Sequence, residues 1–223
     1  MTRAPFWGYE RSFASIGCAA LEGTNFTIFL VDDDLAVLKA LGRLLQSAGY
    51  ATKAYSSAET FLSEDDGSLP GCVLLDLMMP VFNGLDVQEA LARDGIKRPL
   101  IFLTGTATIA DSVQAMRAGA VDFLVKPVDK DELLSAVKSA EQRDKAQRNN
   151  DMRRETVLQR MATLTPHERE VLDCVVRGLL NKQIGGDLGV HEKTIKVHRS
   201  RVFNKMGARS LAELVRMTAG MSE

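Results

Sequence analysis

The chain has 223 residues, 45% of them hydrophobic, and a formal net charge of -1, a make-up ordinary for a globular protein of one large or two small domains. No apolar run approaches the roughly 18 residues needed to span a bilayer. The three cysteines, Cys18, Cys72 and Cys174, stand far apart without a CxxC pair, so no disulfide framework is expected and a reducing cytoplasm is the simpler context.

Residues 1–26 read as a disordered extension. Arg3 and the stretch Ser15–Ala20 resemble an export signal, but Glu10 and Arg11 interrupt it and its apolar core is short. Residues 28–31 form a short β-rich run that ends in acids. Over 35–48, Leu38, Leu41, Leu44, Leu45 and Ala48 recur at helical spacing, and Gly49 stops the run. Residues 50–55 read as a strand and 58–62 as a short helix. The fully apolar run 72–75 suits a buried parallel strand. A helix over 85–93, a strand over 100–103 and a helix over 109–118 follow. A strand over 121–125 and a helix from Lys130 to about Arg143 complete the series. Five strands alternating with five helices predict an α/β doubly wound five-stranded parallel sheet over 27–140.

Residues 141–160 are rich in Gln, Arg, Asn, Asp and Glu, and read as a linker, partly helical and continuing the last helix of the first domain. From 161 to 223 the pattern is all helical. Thr165-Pro166-His167-Glu168 combines an N-cap, a proline at the first helical position and an acid in the first turn. A helix over 166–177 follows, ended by Gly178. A second starts near Asn181, the turn falls near Gly189-Val190, and a third covers about 192–206. This is the cadence of a helix-turn-helix. Charge divides the same way. Residues 26–140 hold ten basic against sixteen acidic residues, whereas 151–223 hold thirteen against nine and all three histidines. The basic half is suited to a polyanion.

Ligands of open parallel sheets bind outside the carboxyl ends of the strands. Those ends carry Asp32 and Asp33, Asp76, Thr104 and Lys126. Clustered carboxylates need positive charge among them. Lys126 supplies one, and a hard divalent cation such as Mg²⁺, which takes oxygen ligands, suits the rest. The set also suits phosphoryl transfer to a carboxylate, with Asp76 as nucleophile, Asp32 and Asp33 holding the ion, and Lys126 and Thr104 reaching phosphoryl oxygens. Asp34 is read as a helix cap.

Residues 27–140 resemble the receiver domain of bacterial two-component systems. The resemblance rests on Val31-Asp32-Asp33-Asp34, Leu75-Asp76-Leu77-Met78-Met79-Pro80, Leu103-Thr104-Gly105 and Lys126-Pro127. It implies phosphorylation of Asp76 by a sensor histidine kinase, a metal contact from the Met78 backbone carbonyl and a cis Lys126-Pro127 bond. It also implies a switch in which Thr104 moves toward the phosphoryl group and Phe123 turns inward. Gly105 stands where many receivers have Ala.

On the third helix of the basic half, Ile195, His198, Val202 and Met206 fall on one side at about 100° per residue. Lys193, Lys196, Val197, Ser200, Arg201 and Asn204 fall on the other, with no acid between Lys193 and Lys205. That face suits phosphates, and Val197, Ser200 and Asn204 suit base edges. Thr194 and Arg199 complete the candidate DNA-binding set. His191 and His198 lie seven apart with no Cys or acid at ligand spacing, which speaks against a metal there.

The segment resembles the LuxR/FixJ/NarL-type output domain. The matching stretches run from Leu164 to Leu172, Asn181-Lys182-Gln183-Ile184, Thr194-Ile195-Lys196-Val197-His198 and Glu213-Leu214-Val215. The resemblance implies four helices, base contacts from Lys196, Val197 and Ser200, and dimerisation through the last helix. Two departures stand out. His191 replaces the usual capping Ser, and Gly185-Gly186 lies inside the second helix, each Gly costing about 0.5–1 kcal/mol relative to Ala. The whole reads as a response regulator rather than an enzyme of metabolism. It would bind double-stranded DNA as a homodimer once phosphorylated and act on RNA polymerase, with no membrane partner. A phosphorylation-independent DNA-binding protein is one rival. A phosphohydrolase with an aspartyl-phosphate is another, disfavoured because Met78 stands where such enzymes carry an acid.

Overall fold

The computed structural model describes residues 26–105 and 108–219, so the expected extension lies outside the described residues except for Phe26. The first half alternates β1 (Thr27–Val31), α1 (Leu35–Ser47), β2 (Ala51–Tyr55), α2 (Ala58–Glu64), β3 (Gly71–Asp76), α3 (Gly84–Arg93), β4 (Leu100–Thr104), α4 (Ile109–Arg117) and β5 (Asp122–Val125). The strands form one parallel sheet in the order β2-β1-β3-β4-β5. Short polar residues start the helices. Asp34 accepts from the Ala36 and Val37 N–H groups, while Asn83 with Asp86 and Thr108 with Asp111 form capping boxes.

Alternation along the strands builds two cores. Ile28, Leu30, Leu74, Ile101 and Leu103 face α1, whereas Phe29, Val31, Val73, Leu75 and Phe102 face the side of α2, α3 and α4. Phe26 is a correction to the expected boundary. It is buried in the first core, edge-on to Tyr50 at 6.5 Å between ring centroids.

The linker continues the last helix of the first domain, as expected, but is helical throughout rather than in part. Helix α5 runs unbroken over Lys130–Ala162. At 33 residues it is about 50 Å long. No Gly or Pro interrupts it, and its Asp, Glu, Gln, Arg and Lys residues are compatible with a solvated helix. Leu133, Ala136, Val137 and Ala140 pack it on the sheet, and Val157 belongs to a third core. That core is closed by α6 (Pro166–Val176), α7 (Asn181–Leu188), α8 (Glu192–Met206) and α9 (Leu211–Thr218). Gly189, at φ 65, makes the left-handed turn between α7 and α8. Apart from the end of α5, the predicted elements agree with the structure within two residues at each end.

Candidate functional site

Register brings the predicted pocket together. Val31 of β1 pairs with Leu75 of β3, so Asp32, one residue on, lies level with Asp76. Thr104 ends β4 opposite Val125, and Lys126 follows directly. Carboxylate oxygens of Asp32, Asp33 and Asp76 lie within 4.8 Å of one another. Asp32, Asp76 and Thr104 are buried, while Asp33 and Met78 are exposed. The Lys126 ammonium donates to Asp32 Oδ2 at 2.5 Å and reaches Asp76 Oδ1 at 3.3 Å. The other oxygen of Asp32 accepts the Asp34 N–H at 2.9 Å, which fixes the carboxylate plane. The Lys126-Pro127 bond is cis.

Three carboxylates against one ammonium leave the crevice short of positive charge. Burial pushes the Asp76 carboxyl above its ordinary value and the Asp32 charge adds to this. Lys126 and the Met78 N–H pull the other way without cancelling it. Burial alone would lower Lys126, but its hydrogen bond to Asp32 and the charges of Asp32 and Asp76 outweigh that and raise it. An all-oxygen donor set with surplus negative charge fits a hard divalent cation.

Sequence reasoning missed what closes the loop beside Asp76. A Cβ on Gly84 would lie 2.8 Å from the Asp76 carbonyl oxygen and 2.8 Å from the Phe102 ring. Only glycine lets α3 start this close to the end of β3. Val81, in the same loop, holds φ at 71 with its side chain exposed, a backbone conformation that disfavours a β-branched residue. Phe123 is half-buried and packs on Phe102 at 6.0 Å between centroids. Beside it Ile109, Val113, Met116 and Val125 leave an apolar face exposed on α4 and β5.

On α8, Ile195, Val202 and Met206 are buried in the third core. His198 is only half-buried. Lys193, Thr194, Lys196, Val197, Ser200, Arg201 and Asn204 are exposed. Arg199 differs from them. It is half-buried, donates to Asn181 Oδ1 at 3.2 Å and lies over the Phe203 ring, so it also braces α7 against α8. His191 makes no side-chain cap to α8, as its chemistry predicted.

Residues 28–138 match the response regulator receiver domain family, and residues 162–218 match the luxR family of bacterial regulatory proteins. The chain is 41% identical over 196 residues to the response regulator protein TodT of Pseudomonas putida, spanning 88% of this chain and 86% of TodT. It is 40% identical over 196 residues to the transcriptional regulatory protein FixJ of Azorhizobium caulinodans, spanning 86% of this chain and 92% of FixJ. The chain belongs to the response regulators. The solved structure of the response regulator StyR superposes with a TM-score of 0.76 at 40% identity, over 87% of this regulator and 98% of StyR. The regulator thus joins a receiver to a LuxR-type DNA-binding domain, the make-up of transcriptional regulators in two-component systems. Among its described residues, no helix is long and apolar enough to cross a membrane.

Proposed function

We propose that Asp76 is the phosphoacceptor of this regulator, that a sensor histidine kinase supplies the phosphoryl group, and that phosphorylation controls dimerisation and DNA binding. The observation that carries the reading is the meeting of Asp32, Asp33, Asp76 and Lys126 at one edge of the sheet. A carboxylate oxygen of Asp76 attacks the phosphorus. The P–N bond of the phosphohistidine breaks, its imidazole nitrogen keeps the electron pair, and an acyl phosphate forms. Lys126 donates to one phosphoryl oxygen as charge builds there, and the Thr104 hydroxyl donates to another. Asp32, Asp33, Asp76 and the Met78 carbonyl would hold Mg²⁺, which supplies neutralising charge for the phosphoryl oxygens.

Movement of Thr104 and an inward turn of Phe123 then bias a two-state equilibrium of the receiver. The exposed apolar face of α4 and β5 supports a homodimer as the favoured state. A dimer engages two half-sites of double-stranded DNA through paired α8 helices, gaining affinity by linkage. Lys196, Val197 and Ser200 contact base edges with Asn204 beside them, Lys193 and Arg201 take phosphates, and Thr194 and Arg199 complete the DNA-facing set. RNA polymerase is the downstream partner and the cytoplasm the compartment. The only chemistry assigned is the regulator's own phosphorylation.

Incubation with Mg²⁺ and acetyl phosphate, read by intact mass, tests the assignment. Wild type is expected to gain one phosphoryl group and Asp76→Asn none. No uptake by wild type, with Mg²⁺ binding confirmed, would point instead to a receiver that dimerises without phosphorylation.

A further inference from the structure

Among the described residues, one buried side-chain nitrogen or oxygen has no hydrogen-bond partner: Nδ1 of His198. Buried polar atoms are paired as a rule, and an orphan calls for a missing partner. His198 borders a cavity of about 240 Å³ between α6, the end of α7 and α8. A second imidazole, that of His167 on the first turn of α6, borders the same cavity. The two rings lie 6.3 Å apart between centroids, tilted by 53°.

The surroundings of this pair are those of a nitrogen-ligand site. Glu170 Oε2 lies 3.2 Å from Nδ1 of His167. A carboxylate so placed favours the tautomer with its proton at Nδ1, which leaves Nε2 to face a ligand. Val171, Leu188, Val190 and Ile195 form an apolar wall behind the two rings. Two imidazoles chelate an ion when each nitrogen lies about 2.0–2.1 Å from it. His167 is exposed, so its ring has room to turn toward His198.

We propose that His167 and His198 bind a divalent transition ion of the Zn²⁺ class, with water completing its shell, and that the ion clips the start of α6 to α8. Imidazole favours such ions over Mg²⁺, whereas the acidic pocket has the opposite preference. Spacing along α8 had paired His198 with His191 and argued against a metal. The ligand partner is on the neighbouring helix instead. The clip holds the helix whose other side carries Lys196, Val197 and Ser200, so it steadies the DNA-facing surface. It does not depend on phosphorylation of Asp76.

Calorimetric titration of the full-length regulator with ZnCl₂, in Mg²⁺ sufficient to saturate the acidic pocket, tests this. Wild type is expected to bind one ion per chain at this site. Loss of an outer-shell partner alone costs about 10–100-fold in metal affinity, so His167→Gln is expected to weaken binding by at least tenfold. His191→Gln, whose ring does not border the cavity, leaves binding unchanged. The exposed His167 ring contributes nothing to the core, so its loss does not unfold the domain. Zn²⁺ is also expected to raise the Tm of the DNA-binding domain in wild type and not in His167→Gln. Binding equal in wild type and His167→Gln, no binding at all, or equal loss in His191→Gln would each overturn the proposal.

Discussion

Gly185 and Gly186 stand side by side in α7 and meet different surroundings. A Cβ on Gly185 would lie 2.7 Å from the Val190 carbonyl oxygen, whereas one on Gly186 would meet nothing within 4 Å. Both carry the entropic cost of glycine in a helix. Only Gly185 offsets it, by letting the turn after α7 close. Gly186→Ala is therefore expected to stabilise the DNA-binding domain by about 0.5–1 kcal/mol. Gly185→Ala is expected to destabilise it by about 1–3 kcal/mol, because backbone must move. Urea unfolding of the two variants checks the pair, and the reverse order would mean that α7 is seated differently. In the sequence the two glycines looked equally costly, because the carbonyl that separates them is brought near only by the turn. The acidic pocket was legible for the opposite reason. In a parallel sheet, residues that end different strands come to the same edge, so position along the chain foretold where Asp32, Asp76, Thr104 and Lys126 meet.

At the scale of elements, the clearest device is the joint between the start of α6 and the end of α8. Glu168 Oε2 accepts the Thr165 N–H at 2.8 Å and the Lys205 ammonium at 2.6 Å. Lys205 also donates to the Thr163 carbonyl at 2.9 Å. One carboxylate thus caps a helix and ties it to another. The Lys205 hydrogen bond, with help from the Thr165 N–H, lowers the Glu168 pKa from 4.5 to about 2. A folded-state value below the unfolded one means that the group contributes fully above pH 4.5. The contribution then fades as pH falls toward about 2. The stability difference between wild type and Glu168→Gln should therefore be flat above that window and shrink through it. Urea unfolding of the DNA-binding domain at stepped pH measures it. A difference that persists unchanged at the acid end would show that charge is not what the joint uses. The cap was legible from the Thr165–Glu168 spacing alone. The tie was not, since Lys205 lies far along the chain and reaches Glu168 only once α8 packs on α6.

Across the whole molecule, α5 is the connection, and the polar stretch read as a partly helical linker is helical over its whole length. Its middle has almost no apolar anchor between Ala140 and Val157, and a free segment of that length is a marginal helix in water. Arg148 supplies a polar anchor instead. It pairs with the buried Asp144 and donates to the carbonyls of Gly67, Ser68 and Leu69, in the loop between α2 and β3. Lys97 adds an exposed contact to Asp151 at 3.3 Å, worth little by itself. Arg148→Ala leaves Asp144 without its partner and is expected to destabilise the receiver by about 1.5–3 kcal/mol, the range for a hydrogen bond to a charged group. The loop precedes β3 and so lies at the edge of the sheet away from Asp76, so the phosphorylation proposed there is expected to be unaffected. Hydrogen exchange separates this from a general loss of stability. In the variant, amides over 142–156 should exchange faster while those of β1, β3 and β4 keep their order of protection. Unchanged exchange over 142–156 would mean that the packed ends of α5 suffice to hold its middle. Faster exchange would identify Arg148 as the point where the receiver grips the helix that carries the DNA-binding domain. A change in the receiver then has a continuous helix along which to act on that domain.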